Sequence, residues 1–273
     1  MNPIFVQALS FKDVDGTSEQ CIQTAANVAV ELGIAGVDLE DRLLRSYDPV
    51  YLSELRDQIR GLSLEIGYCG LIVDFHAPLS SIDDEVDRAT ELIEAMPHLG
   101  VKNVRVPGNG VVDGQTVEET LQAVENKFNR ICEVAEENDI TVLLHNHNHG
   151  STPSTGAQVL RLLDSIDSPA LKYVLDTGQF QGSPGASGDM PEAAQPQLYK
   201  SIEMCAPRAV MSRTKFYFAD NQAENWLDYG RIARTLNGLS FDGPLSIVYE
   251  PKGTLSSLSA IPLAVEHLKT KFG

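Results

Sequence analysis

Residues 103–145 have the sequence NVRVPGNGVVDGQTVEETLQAVENKFNRICEVAEENDITVLLH. The stretch opens and closes with short runs rich in branched apolar residues, Asn103–Val106 and Thr141–His145, which are typical of buried strands. Between the two runs, Thr116 and Glu119 have the spacing of a capping box at a helix start. Apolar residues then recur at intervals typical of a helix, at Leu121, Val124, Phe128, Ile131, Cys132 and Ala135. A strand, an amphipathic helix and a second strand predict a parallel βαβ unit.

The same alternation of strand-like and helix-like segments extends in both directions from this unit. The predicted strands are Ile4–Leu9, Gly36–Leu39, Leu64–Cys69, Asn103–Val106, Thr141–His145, Lys172–Asp176, Ala209–Lys215 and Leu245–Glu250. A capping box of Thr17 and Gln20 predicts the start of the first helix, which ends at Gly33, and another helical stripe covers Val86–Met96. Eight such units fit a closed (β/α)8 TIM barrel, so we predict one barrel domain over residues 1–273.

An open doubly wound sheet is the competing architecture. Such a sheet usually has a glycine-rich turn after its first strand, whereas Ser10-Phe11-Lys12-Asp13 stands at that place. The low-complexity segment Gln181–Pro191, after the sixth strand, has two interpretations: a flexible surface loop, or a lid over the active site.

The chain has 21 Lys and Arg residues against 38 Asp and Glu residues, a formal net charge of −17. This balance argues against a nucleic-acid binder and against a membrane-surface protein, because both need an excess of basic residues. No apolar run is long enough to span a bilayer, and the first residues lack the features of a secretory signal, so we expect a cytoplasmic protein. The four cysteines have no CxxC spacing and are expected to be reduced.

The chemistry is expected at the C-terminal ends of the strands, where barrel enzymes place their catalytic groups. The polar residues at these ends are Glu40, Asp41, Arg42, Arg105, His145, His147, Asp176, Gln179, Arg213, Lys215 and Glu250.

Four stretches near these positions resemble the sugar phosphate isomerase/epimerase family, which has the xylose isomerase-like TIM barrel. They are TVLLHNHNHG (141–150), SPALKYVLDTGQF (168–180), RAVMSRTKFY (208–217) and LSIVYEPKG (245–253). The resemblance implies an isomerase or epimerase, although relatives also include dehydratases, lyases and a DNA-repair endonuclease. The endonuclease branch conflicts with the acidity of the chain.

The resemblance also implies a divalent metal, held by Glu, Asp, His and Glu from strands five to eight. Asp176 and Glu250 match this pattern, whereas His145 stands in place of the first Glu and Arg213 in place of the His. One outcome is a site of His145, Asp176 and Glu250, with His147 as a further ligand, that binds Mn, Zn, Mg or Co. In the other outcome the metal is absent because the permanent charge of Arg213 neutralises the carboxylates. Gln179 replaces a further His of the family.

The expected reaction is proton abstraction next to a carbonyl through an enediolate, on a sugar or small keto-acid. We expect Glu250 to be the base and His145 the second acid/base group, with Lys215, Arg213 or a metal as the electrophile. Arg105, His147, Gln179 and Arg213 are the expected substrate-binding residues. A lyase or dehydratase acting on a keto-sugar or keto-glycoside, and a catalytically silent sugar-binding relative, are the alternatives. A homo-oligomer remains open.

Overall fold

The structure, a computed structural model, describes residues 2–148, 150–183, 195–218 and 222–273. Within these ranges eight parallel strands close into a barrel. They are β1 (Ile4–Gln7), β2 (Gly36–Glu40), β3 (Glu65–Gly70), β4 (Asn103–Pro107), β5 (Thr141–His145), β6 (Leu171–Asp176), β7 (Ala209–Phe216) and β8 (Leu245–Tyr249). Each strand pairs with the next one in the chain, and β8 pairs with β1. The predicted TIM barrel is therefore confirmed.

Helices surround the barrel and alternate with its strands. They are α1 (Gln20–Leu32), α2 (Pro49–Gly61), α3 (Ile82–Leu99), α4 (Val117–Glu137), α5 (Gly156–Ser165), α6 (Gln195–Cys205), α7 (Tyr229–Gly238) and α8 (Ser257–Phe272). Among the described residues, no helix is both long and apolar enough to cross a membrane. Of the segment predicted as a loop or lid, Gln181–Pro191, only residues 181–183 lie within the described ranges.

The two predicted capping boxes have different outcomes. Thr116 accepts from the backbone N–H of Glu119, whose side chain accepts from Thr116 N–H, so the box that begins α4 is confirmed. The box of Thr17 and Gln20 is wrong, because α1 begins at Gln20 after Glu19, without a side-chain cap. A one-turn helix over Lys12–Asp15 ends in a turn that leaves Thr17 too far ahead of the helix to cap it.

Side chains alternate between the inside and the outside of the barrel along each strand. Inside, a small apolar cluster of Tyr68, Leu143, Val174 and Met211 fills one layer. The larger apolar core lies between the outer faces of the strands and the helices. Towards the C-terminal ends of the strands, the interior becomes polar and charged, and this layer holds the candidate site.

A buried ion pair anchors the loop that follows β4. Lys127 of α4 donates from Nζ to Glu85 Oε2 at 3.0 Å and to the carbonyl of Pro107 at 3.1 Å. Asn109 Nδ2 donates to both carboxylate oxygens of Glu85, and Asn109 pairs with Thr152 in a two-residue antiparallel ladder. The loops after β4 and β5 are thus connected to each other by backbone pairing, and the loop after β4 is connected by hydrogen bonds to α3 and α4 outside the barrel.

Candidate functional site

Five side chains form a closed ring across the barrel interior, called here the ion-pair ring. Arg105 donates from Nη2 to Glu40 Oε2 at 2.6 Å and from Nη1 to His145 Nδ1 at 2.9 Å. His145 Nε2 lies 3.2 Å from Asp176 Oδ2, and Arg213 Nε donates to the same oxygen at 3.0 Å. Arg213 Nη1 closes the ring 3.5 Å from Glu40 Oε1. All five residues are buried.

Strand register explains why these residues meet. Glu40 is aligned with Gly70 on the neighbouring strand, and Gly70 with Arg105 on the next one. A Cβ atom on Gly70 would lie 2.6 Å from Glu40 Oε2 and 2.5 Å from Arg105 Nη2. The glycine therefore leaves the space in which the carboxylate and the guanidinium pair. Asp176 and Arg213 are likewise direct neighbours on β6 and β7.

The contacts of His145 fix its protonation pattern. A guanidinium can only donate hydrogen bonds, so Nδ1 of His145 accepts from Arg105. Nε2 then carries the ring proton and donates to Asp176. His145 is therefore neutral in this arrangement, and both of its ring nitrogens are engaged within the ring.

A second ion pair joins the ring at the cavity wall. Lys215 Nζ donates to Glu250 Oε1 at 2.6 Å and lies 3.8 Å from Asp176 Oδ2. The Lys215 side chain is 1% exposed, whereas the Glu250 side chain is 33% exposed. Gly178 makes room for the lysine, because a Cβ at that position would lie 2.6 Å from Lys215 Cγ. Glu250 is thus a carboxylate that a substrate can reach, beside a fixed ammonium group.

The ring and the Lys215–Glu250 pair border a cavity of about 270 Å³. This volume is near the lower end of the roughly 300–1,000 Å³ typical of small-molecule sites. The loop after β3 supplies an apolar side through Leu71, Ile72, Val73 and Phe75. A cavity of similar size lies at the opposite end of the barrel, where strand N-termini rather than catalytic positions are found.

The remaining predicted residues lie at the cavity or directly beneath it. His147 stacks on Phe75 with ring centroids 4.2 Å apart, and its Nδ1 lies 3.3 Å from Ser151 Oγ. The Gln179 side chain is buried and lines the cavity, and its Oε1 accepts no hydrogen bond from the described residues. Asp176 lies beneath the cavity surface, fully buried. The site residues predicted from the sequence therefore lie close together in the fold.

Sequence reasoning missed three residues that shape the site. Glu40, which follows a strand and has no predicted role, pairs with both arginines of the ring. Gln7 donates to Glu40 Oε1 at 2.8 Å. Tyr68 accepts a 2.6 Å hydrogen bond from Arg213 Nη1 through its hydroxyl. The position of Glu40 after a strand was a usable signal, whereas an aromatic residue inside a strand is ordinary and indicates nothing.

The charge of Arg213 is secured by its surroundings. Burial by itself would lower the pKa of the guanidinium, but the oxygens of Tyr68, Asp176 and Glu40 outweigh burial and raise the pKa above its usual value. Arg213 is therefore a permanent cation.

The donor set does not fit the divalent metal that the family resemblance implies. Asp176 Oδ2 already accepts from Arg213 and His145, and Asp176 Oδ1 accepts from Gly178 N–H at 3.0 Å. Glu250 is paired with Lys215, so a dication between the two carboxylates would face two cationic groups. In the described part of the chain, no group of three or more His, Cys, Asp or Glu side chains has an arrangement suited to a metal ion.

Comparison with known proteins shows the family and the fold to which the chain is similar. The model of the xylose isomerase-like TIM barrel family matches residues 26–271. The fold is similar to that of an L-ribulose 3-epimerase, with a TM-score of 0.74 and 15% identity over 99% of this chain and 96% of the other. It is also similar to a D-allulose 3-epimerase from Methylomonas sp., with a TM-score of 0.71 and 18% identity over 99% and 98% of the two chains. No curated protein sequence matches the chain.

Proposed function

Because the chain belongs to the xylose isomerase-like TIM barrel family, we propose that it is an isomerase or epimerase of a small ketose. The 2.6 Å contact between the buried Lys215 ammonium and the reachable Glu250 carboxylate carries this proposal. Epimerases of ribulose and allulose among the structural neighbours support a ketose as substrate. The size of the cavity also favours a small substrate.

In the proposed reaction, Glu250 removes the proton from the carbon next to the substrate carbonyl. As the proton leaves, negative charge develops on the carbonyl oxygen. A fixed cation beside that oxygen stabilises this charge and so lowers the activation free energy of proton abstraction. Lys215 is positioned to provide this charge because the fold buries its side chain and leaves its ammonium at the cavity. Delivery of a proton from water to the opposite face of the enediolate gives an epimer. Return of the proton from Glu250 to the former carbonyl carbon, with transfer of the neighbouring hydroxyl proton to the former carbonyl oxygen, gives an isomer.

The other cavity residues have supporting roles in this proposal. Gln179 lines the cavity with a buried side chain, and His147 with Phe75 forms a ring surface against which a sugar can pack. Arg105 acts through His145, since its nitrogens Nη1 and Nη2 bond within the ring. The acid/base role predicted for His145 remains a prediction, and its contacts favour a role in holding Asp176.

Hydrogen exchange in D2O tests the proposal without knowledge of the final product. D-Allulose, L-ribulose and D-fructose are incubated with the protein, and loss of the C–H signal next to the carbonyl is followed by NMR. We expect exchange with at least one ketose, and a decrease of about 100-fold or more in Glu250→Gln, which retains the shape but not the base. Lys215→Met is expected to lower the rate as well.

Glu266→Gln is the matched control, because Glu266 is exposed on α8 away from the cavity. Its exchange rate should equal that of the wild type. Absence of exchange with every ketose, or an unchanged rate in Glu250→Gln, would contradict the proposal. Binding of a ketose without exchange would instead favour the sugar-binding relative.

A further inference from the structure

We infer that the guanidinium of Arg213 is the fixed positive charge at the base of the cavity, in the place where a divalent metal would otherwise bind. Exclusion of metal concerns the protein alone, whereas donation from Arg213 to the substrate rests on the proposed function.

The guanidinium is held from three directions. Nε donates to Asp176 Oδ2 at 3.0 Å, and Nη1 donates to the hydroxyl of Tyr68 at 2.6 Å and lies 3.5 Å from Glu40 Oε1. Tyr68 is fully buried in the barrel interior, so its hydroxyl is a rigid acceptor. Such a planar group has no freedom to swing away when another cation arrives.

A metal at this place would have to displace the hydrogen-bond donors that already contact the Asp176 carboxylate. Asp176, the carboxylate best placed to coordinate it, receives hydrogen bonds on both oxygens. The entering ion would lie within a few ångströms of a charge that cannot lose its proton. At such distances the repulsion between a dication and a guanidinium in a protein interior weakens binding by about 100-fold or more.

The same guanidinium retains a donor for the substrate. Arg213 lines the cavity, and its Nη2 makes no hydrogen bond within the described part of the chain. This nitrogen is not among the buried polar atoms without a partner, so it is accessible to solvent or a ligand. We therefore assign Nη2 of Arg213 as the donor to an oxygen of the substrate, in the cavity that Lys215 also lines.

Metal titration of the full chain tests the exclusion directly. Chelator-treated wild type, Arg213→Gln and Arg213→Lys are titrated with Mn²⁺ by calorimetry, after circular dichroism has shown that each is folded. Arg208→Gln is the matched control, because Arg208 precedes the same strand and also pairs with an aspartate, Asp164 at 2.6 Å, but on the surface.

We expect no saturable binding to the wild type, the Arg213→Lys variant or the control up to about 1 mM Mn²⁺. Arg213→Gln is expected to bind one ion at least about 100-fold more tightly, because Asp176 loses the guanidinium that pairs with it. Binding of one equivalent of Mn²⁺ by the wild type would overturn the inference. This wild-type titration remains a valid test even if Arg213→Gln does not fold. A folded Arg213→Gln with unchanged affinity would also overturn it.

The exchange assay separates this inference from the proposed function. Wild-type exchange that survives EDTA and falls in Arg213→Gln supports donation by Arg213. Exchange that requires added Mn²⁺ would overturn the inference while leaving the proposed ketose chemistry standing. Metal exclusion without any exchange would leave this part of the inference standing and contradict the proposed function.

Discussion

Asp38 provides the sharpest test of the barrel interior through the pH dependence of stability. Its carboxylate is fully buried, with Oδ1 accepting from Tyr68 N–H at 3.0 Å. Oδ2 makes no hydrogen bond to the described residues. Burial raises the pKa of Asp38 from its ordinary value of 3.8 to about 7, against the smaller opposing effects of Ser246 and Arg213.

This shift determines how the free energy of unfolding changes with pH. Between pH 3.8 and 7 the folded protein keeps the Asp38 carboxyl protonated, whereas the unfolded chain has it ionised. The folded state then binds more protons, so its stability falls as the pH rises through this window and becomes level above pH 7. At about 1.4 kcal/mol per pH unit, stability falls by about 3 kcal/mol between about pH 5 and pH 8.

Asp38→Asn removes the titration and keeps an acceptor for Tyr68 N–H. Urea unfolding of the wild type and the variant between pH 5 and pH 8 isolates the contribution of Asp38, since other groups cancel in the difference. We expect the wild type to lose about 3 kcal/mol relative to Asp38→Asn across this range. For the exposed Asp57, whose pKa is lowered by its hydrogen bond from Arg56, the same comparison should be flat. A flat difference for Asp38 as well would refute the assignment of a buried proton.

Two further predictions concern stability outside the cavity. Lys127→Met should lower the free energy of unfolding by about 3–5 kcal/mol, because it leaves the buried Glu85 carboxylate without its cation. Adding Glu85→Gln to this variant should restore part of the lost stability, which urea titrations measure. A double variant no more stable than Lys127→Met would contradict the prediction. Thr116→Ala should lower the free energy of unfolding by about 1 kcal/mol, because it removes the side chain of the capping box. Thr17→Ala should leave the thermal midpoint unchanged. Equal losses of stability in the two variants would show that the assigned start of α1 is wrong.

The architecture could be predicted because it is encoded locally. Each strand and helix has its own periodicity, and β5 at Thr141–His145 matches the prediction residue for residue. The other strand boundaries differ by one or two residues; β1, for example, ends at Gln7 rather than Leu9 because the chain enters a 3₁₀ turn at Ala8. The Thr17 cap failed for a non-local reason, since the turn before α1 decides where that helix begins.

The site was predictable only to the level of its residue types. Polar side chains at the strand ends converge in any parallel barrel. For this reason His145, Arg213 and Glu250 lie close together, as expected. Which carboxylate each cation selects depends on strand register and on space across the barrel. Arg105 pairs with Glu40 because Gly70 between them lacks a side chain, and no local pattern reveals this.

The two departures from the family's metal site are better understood together than separately. The metal site that the family resemblance implies has three carboxylates and a neutral imidazole, so a divalent ion would leave those four positions with a net charge of −1. Here His145 is neutral because it accepts from Arg105, Asp176 and Glu250 are anionic, and Arg213 is cationic, which also gives −1. Exchanging a carboxylate for an imidazole and an imidazole for a guanidinium adds two positive charges, the charge of the ion itself. Either exchange alone would leave these four positions one charge away from this balance.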